Sequence, residues 1–449
     1  MYDHIVLISL DTLRSDGIGA NPLKLWPDTY PGLGAPATPV LDDLVAHGAF
    51  FPNCVSAAPY TSASHSTLLT GKWPLRHGVF EFLNRTLTTD TLFTRARRAG
   101  YRTLLKSDFP LVLGPTLGLD RGVDDFIVED DDAFLSSLSA TTRSVSLVHF
   151  GGVHVPYGFH NLHYGGDAYR ARLAELEAEV GSPAELPKDQ LVETYRSTED
   201  LEHLLRYKRV IQELWQAGRA EDIFGLYLEG IEHFLATRFQ PFVEKLFAVT
   251  AGRRTLVVLF GDHGEEYGPD SFGHFNSVAE GVLRVPLLFL GDDVRPGCHT
   301  GRVRTVDLLP TVSELMGDLP TAFLRMDGAS LAPTVRDSAE YPVRTAFAQA
   351  YVADTDASIR FQQGLMDRRA APGGLPHLLA KEVVWDGEFR LTRHLADFHE
   401  YFGGLGPIEP VVRLERFDAD QRPRPCSDPE VTTRLLASLA DYNTLRQDE

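Results

Sequence analysis

HIVLISLDTLRSD, residues 4–16, decides the fold. From His4 to Leu10 the chain is apolar and β-branched, and the run stops at Asp11. That is the pattern of a central strand buried on both faces of a parallel sheet. SVSLVHF (144–150), TLVVLFGD (255–262) and VPLLFLG (285–291) repeat it farther along. Helical stretches lie between. TPVLDDLVAHGAFF (38–51) has helical spacing behind a Thr-Pro start and then a strand-like end. SHSTLLTG (64–71) reads as a short helix closed by Gly71, and TLFTRARRAGYRTLLKS (91–107) as a helix, a stop at Gly100 and a strand. Strands alternating with helices predict an α/β fold with a large, mostly parallel sheet flanked by helices. Active sites of such sheets collect at the carboxyl ends of the strands, where Asp11, His154 and Asp262 would stand.

Two further regions set the domain organisation. AYRARLAELEAEV (168–180) and DLEHLLRYKRVIQELWQA (200–217) predict a helical insertion at about 165–250 with solvated charged faces, within a catalytic domain of residues 1–340. A lid over the substrate is the sharper reading of the same stretch. In residues 341–449, VVWDGEFRLTRH (383–394) reads as a β-hairpin and PEVTTRLLASLADY (429–442) as an amphipathic helix. Together they predict a small C-terminal α+β subdomain with antiparallel strands.

The chain has 449 residues and a formal net charge of −19. Such a surface repels nucleic-acid backbones and anionic membranes, so neither is an expected partner. No window approaches the roughly 18 apolar residues of a membrane span, and no signal peptide is evident at the start. The three cysteines, Cys54, Cys298 and Cys426, are far apart and odd in number, which argues against a disulfide framework and for a reduced, cytoplasmic setting. Homo-oligomerisation is left open.

Four segments carry the chemistry: ISLDT (8–12), APYTSASHSTLLTGKWPLRHGV (58–79), HFGGVHVPY (149–157) and FGDHGEEYGPDSFGH (260–274). Asp11 alone reads equally as a turn residue. Asp262 and His263 follow an apolar run and sit between Gly261 and Gly264, whose backbone freedom lets the chain turn sharply and expose both side chains. A carboxylate beside an imidazole suits a divalent ion such as Mn or Zn. Thr61 precedes the helix expected near Ser64, where the bland role is an N-cap. The same position favours an anion and an activated hydroxyl, since the N-terminus of a helix is electropositive.

These segments resemble the sulfatase branch of the alkaline phosphatase superfamily. The order of DTLRSD, TPVLDDLVAHGAFF, S-x-x-x-LLTG-x-x-P-x-RHGV, GYRT, H-x-PY, GDHGEE…FGH, LRVPLLF, VDLLPT and MDGASL is similar to that family's over residues 3–335, and the C-terminal segments extend the likeness. The resemblance implies an alkaline-phosphatase-like sandwich and a metal held by Asp11, Thr61, Asp262 and His263, with Thr61 as nucleophile. His65 takes the place of the family's arginine, and Asn84 resembles a substrate-contacting Asn. His154 and His274 are candidate phosphoryl contacts or general acids. Lys106 and Lys72 could neutralise developing charge, although a solvated surface role suits Lys72 better, and His77 reads as structural.

Three departures redirect the expected activity. Sulfatases of this branch carry a cysteine, matured to formylglycine, where this chain has Thr61. Threonine cannot become that aldehyde, and its ester must be cleaved at the central atom by water or an acceptor. Phosphatases, phosphodiesterases and phosphoethanolamine transferases of the superfamily use Thr or Ser here. Thr12 stands where many sulfatases have a second metal-binding Asp, and the Asp-His pair at 262–263 resembles the phosphonate monoester hydrolase side of the family. Gly152 stands where two-metal relatives often have an acid, so one divalent ion (Mn, Zn or Ca) is expected and a second is not. The expected function is hydrolysis of a small anionic ester (phosphodiester, phosphomonoester or phosphonate) through a phosphothreonine on Thr61. Phosphotransfer to an acceptor alcohol, a formylglycine-independent sulfatase and a non-catalytic protein are the alternatives.

Overall fold

The structure is a computed structural model that describes residues 2–80, 84–158, 162–181, 198–268, 271–274, 277–317, 326–352, 378–398 and 405–445. Its central sheet has nine strands. They are β1 (His4–Leu10), β2 (Ala49–Val55), β3 (Arg102–Ser107), β4 (Asp125–Val128), β5 (Ser144–Phe150), β6 (Thr255–Gly261), β7 (Arg284–Leu290), β8 (Gly297–Cys298) and β9 (Val303–Arg304). The order is β8-β2-β7-β6-β1-β5-β3-β4, with β9 also pairing with β2. β1 runs parallel to both β5 and β6, and β7 runs antiparallel to both of its neighbours, β2 and β6. Every residue of β1 and of β5 is buried, which explains why they read as unbroken apolar runs rather than alternating ones.

Alternate residues serve two cores. Val6, Ile8, Leu10, Val148 and Phe150 face one side, where Leu173, Tyr207, Val210, Phe224 and Ile231 meet them. Ile5, Leu7, Val145 and Leu147 face the other, against Leu68 and Leu69. The first layer is built by the insertion, through α3 (Leu162–Val180), α4 (Thr198–Gln216), α5 (Ala220–Phe234), a π-helical turn at Leu235–Phe239 and α6 (Gln240–Val249). Its residues 182–197 lie outside the described residues. The insertion is therefore a full layer of the fold, and the solvated faces read from its charges are only its outer side. The other layer includes α2 (Thr61–Thr70), ended by Gly71 at φ 65°, while α1 (Pro39–His47) leads into β2.

One buried ionic cluster pins the insertion to the sheet. Arg238, from the π-helical turn, contacts Asp108 at 2.7 Å and Asp131 at 2.8 Å. Lys106, at the end of β3, contacts the same two acids at 2.6 and 2.8 Å. The cations also flank the Phe150 ring, at 4.2 Å for Lys106 and 5.0 Å for Arg238. Burial by itself would raise Asp108, yet the two cations hold it well below the carboxylate range.

A second sheet is antiparallel: β10 (Ala346–Val352), β11 (Leu378–Asp386), β12 (Phe389–Phe398), β13 (Leu405–Phe417) and β14 (Pro423–Pro425), paired in chain order. The expected hairpin is β11–β12, turning at Gly387 with φ 56°. α7 (Pro429–Tyr442) covers this sheet through Leu435 and Leu439, and Ala346, Ala348, Val383 and Trp385 pack against Val55 and Val282 of the main body.

Breaking the buried cluster tests this anchoring. Arg238→Met leaves Asp108 and Asp131 short of one cation and is expected to cost about 3–5 kcal/mol in urea unfolding. A loss below about 1 kcal/mol, the level of an exposed pair, would contradict a structural role for Arg238.

Candidate metal and nucleophile centre

Strand register brings the acids together. Leu10 stands level with Phe150 and with Gly261, so Asp11 and Asp262 leave adjacent parallel strands at one height. Thr12 follows with φ 59°, a left-handed conformation uncommon for a β-branched residue. Such strain persists where its surroundings impose it. Here it accompanies a hydrogen bond from the Thr12 amide to Asp262 Oδ1 at 3.2 Å.

Each carboxylate has one oxygen occupied and one without a partner. Asp262 Oδ1 accepts from the amides of Thr12 and His263, at 3.2 and 2.9 Å. Asp11 Oδ2 accepts from the Thr61 hydroxyl at 3.3 Å and lies 3.0 Å from His149 Nε2. Asp11 Oδ1 and Asp262 Oδ2 have no hydrogen-bond partner among the described residues. Both lie 3.6 Å from His263 Nε2. His263 Nδ1 is 3.2 Å from the Gly264 carbonyl, which can only accept, so the proton sits on Nδ1 and Nε2 presents a lone pair. Asp11, Asp262 and His263 thus offer three ligand atoms within 4.8 Å of one another, all buried. Burial pushes Asp11 up to about 6, and His263 and the Thr61 hydroxyl oppose that rise. Two buried carboxylate oxygens with no hydrogen-bond partner among the described residues, beside an imidazole lone pair, are costly. A divalent cation removes that cost, and two oxygens plus an imidazole fit Mn or Zn.

Thr61 joins this set, with its hydroxyl 3.4 Å from His263 Nε2. It is the first residue of α2 rather than its N-cap. The cap position is Tyr60, which makes no side-chain capping bond. The first-turn amides and the positive end of the helix dipole therefore lie at the hydroxyl itself. Ser64 donates to the Asp262 carbonyl at 2.7 Å. His65 donates from Nδ1 to the Thr61 carbonyl at 2.7 Å, and its Nε2 lies 2.9 Å from the Ser9 hydroxyl. His65 orients Thr61 through the backbone and not through the hydroxyl. Burial lowers its imidazole to about 4, despite Asp262 nearby.

His154 and His274 also reach the centre. Their rings are 5.3 Å apart, and the His274 ring lies 4.4 Å from that of His263. His154 Nδ1 donates to the Val155 carbonyl at 2.9 Å, and His274 Nδ1 lies 3.2 Å from Glu265 Oε1. Burial lowers His274 to about 3 and His154 well below its usual range. Both are neutral imidazoles and not ready-made imidazolium acids, and the one N–H of His154 is already taken by the Val155 carbonyl.

The other expected contacts are placed differently. Lys106 is fully buried and committed to Asp108 and Asp131, so its charge is already balanced. Lys72 is 9% exposed, not a solvated surface lysine, and lies close enough to His77 to help depress it. Asn84 closes its own loop, donating to the Gly78 carbonyl and accepting from the Phe80 amide. Two residues went unread in the sequence, His149 and Glu265. His149 hides within an apolar strand. Glu265 is buried, which pushes it up to about 8, and its Oε2 accepts from the Tyr157 hydroxyl at 3.2 Å. The repeated acids of GDHGEE were its only signal.

At Gly152, where the sequence lacks an acid, a Cβ would lie 2.0 Å from the Phe234 ring, so the insertion leaves no room for a side chain there.

Comparisons with known proteins bear on the fold. Residues 3–127 match the Sulfatase family model. The Δ4,5-hexuronate-2-O-sulfatase of Bacteroides thetaiotaomicron is 30% identical over 125 residues, 26% of this chain and 25% of that protein. The low-salt glycan biosynthesis sulfotransferase of Haloferax volcanii is 26% identical over 275 residues, 59% of this chain and 54% of that protein. The chain thus spans between a quarter and about half the length of these curated relatives. The phosphonate monoester hydrolase of Silicibacter pomeroyi has a TM-score of 0.59 at 17% identity, covering 98% of this chain and 94% of that one, which shows a shared fold.

The partnerless oxygens make a stability prediction. Asp11→Asn removes one buried charge and is expected to raise the melting temperature in EDTA by a few degrees, on the order of 1–3 kcal/mol. Mn²⁺ should raise the melting temperature of the wild type but not of the variant. A variant that gains as much from Mn²⁺ as the wild type would remove Asp11 from the ligand set.

Proposed function

We propose that the chain, whose residues 3–127 match the Sulfatase family model, is a metal-dependent hydrolase of phosphate-type esters, with Thr61 as nucleophile. The observation that carries this reading is the Thr61 hydroxyl, at the first residue of a helix and 3.3–3.4 Å from Asp11 and His263. Asp11, Asp262 and His263 would hold the dication, with the Thr61 oxygen beside them. That ion, Mn or Zn by donor type, supplies a Lewis acid and lowers the pKa of the hydroxyl.

The chain's own groups account for the rest. Thr61 Oγ1 attacks phosphorus, forming a phosphothreonine as the bond to the leaving oxygen breaks. Water then cleaves that ester at phosphorus and restores the hydroxyl. The first turn of α2 faces the developing charge with its amides. Protonated Glu265, raised to about 8, fills Nδ1 of neutral His274, whose Nε2–H then donates to a phosphoryl oxygen, while His154, with its one N–H on the Val155 carbonyl, presents Nε2 only as an acceptor. His65, with its hydrogen bonds to Thr61 and Ser9, holds the nucleophile's backbone still. A threonine ester cannot decompose as an aldehyde hydrate does, which favours phosphoryl over sulfuryl chemistry. Sulfuryl esters are the second reading, favoured by the activities in the names of the two curated relatives. The sulfotransferase among them keeps transfer to an acceptor alcohol in view. The substrate of this reading is a small anionic ester; among the described residues, no helix is long and apolar enough to cross a membrane.

A panel of aryl phosphate mono- and diesters, phosphonate esters and sulfate esters on Mn²⁺- or Zn²⁺-loaded protein tests the proposal. A phosphorus ester should turn over fastest. Thr61→Ala should lose on the order of 10³-fold or more in kcat, and Thr61→Ser should keep part of it. Quenched wild type should carry one phosphoryl group on the peptide containing Thr61. Equal turnover by Thr61→Ala, or preference for sulfate esters, would sink the reading.

A further inference from the structure

His149 is fully buried at the carboxyl end of β5, level with Ser9 of β1. Its Nε2 lies 3.0 Å from Asp11 Oδ2, and its Nδ1 has no hydrogen-bond partner among the described residues. An ionised carboxylate only accepts, so the shared proton belongs to Nε2 and the bare Nδ1 is an acceptor with no proton to satisfy. The ring has little freedom to leave this pose. Phe109 and His65 pack against it, with centroids 5.2 and 5.5 Å away, and Lys106 holds its backbone carbonyl at 3.1 Å.

This contact gives Asp11 two unequal oxygens. Oδ2 takes both the His149 N–H and the Thr61 hydroxyl. Oδ1 is left to face His263 Nε2 and the partnerless Asp262 Oδ2. Backbone amides impose the same division on Asp262, through Thr12 and His263. At Asp11, whose Oδ2 takes no backbone amide in the hydrogen bonds described, the imidazole does that work.

We propose that His149 is a positioning residue that makes Asp11 a one-oxygen ligand and thereby selects a small nitrogen-accepting dication, Mn or Zn, over Ca²⁺. Calcium takes six to eight oxygens and accepts carboxylates through both atoms. A site whose acids each present one oxygen, beside an imidazole, offers it too few. Mn and Zn accept that mixed set. Donors behind a metal ligand typically change metal affinity by 10–100-fold. The inference rests on the metal reading of the preceding subsection and adds the residue that sets the identity of the ion.

The test titrates Mn²⁺ into metal-free wild type, H149L, H149N and H149Q, reading free Mn²⁺ by electron paramagnetic resonance, then repeats the titrations with competing Ca²⁺. Glutamine places an N–H at the reach of imidazole Nε2, whereas asparagine falls short and leucine has none. H149L and H149N are expected to bind Mn²⁺ about 10–100-fold more weakly and to lose preference for it over Ca²⁺, while H149Q stays near wild type. Either short variant, once circular dichroism shows it folded, suffices for the comparison. Wild-type affinity and preference in H149L or H149N would overturn the inference, as would H149Q binding as weakly as they do. A wild type that takes up no dication at all would instead overturn the metal reading itself.

Discussion

Two carboxylates, Asp11 and Asp262, emerge side by side from adjacent parallel strands, each with one buried oxygen that has no donor among the described residues. Like charges so placed repel, and among the described residues neither oxygen has a donor to soften the field. Everything near them limits the damage or prepares for its removal. Amides of Thr12 and His263 and the imidazole of His149 saturate the far oxygens. His263 turns a lone pair toward the near ones. A single cation held there would satisfy all three groups at once.

The layers of the fold serve that arrangement. β1, β5 and β6 fix the heights of the acids by backbone register, the most rigid positioning a sheet offers. α2 delivers Thr61 from the opposite layer and is tied to both neighbours, to Asp262 through Ser64 and to Ser9 through His65. The insertion seals the other face, where Phe234 closes off Gly152 and Arg238 neutralises the acids beside Lys106. In a protein of formal charge −19, an anionic ligand would need local positive charge, which the balanced Arg238–Lys106 cluster does not supply and a dication at Asp11, Asp262 and His263 would.

Much of this was legible in the residues. Apolar runs ending at Asp11 and Asp262 gave the strands and the acids, because a parallel sheet buries both faces and exposes chemistry at its ends. Thr61 was legible through its place before LLTG, although its helix begins at the residue itself. What stayed hidden depends on distance in the chain. His149 looks like one more member of SVSLVHF, and only the pairing of Ser9 with His149 reveals that it meets Asp11. Lys106 read as available charge because Arg238, Asp108 and Asp131 are remote in sequence or unremarkable in composition. Gly152 read as a missing acid, and the Phe234 ring that a Cβ there would meet lies far off in sequence.

Anomalous diffraction from crystals of Mn-loaded protein, collected at the Mn absorption edge, addresses the central claim most directly. The account predicts one peak per chain, touching one oxygen of Asp11, one of Asp262, His263 Nε2 and the Thr61 oxygen. A peak elsewhere, or density in which Thr61 points away from those three groups, would contradict it.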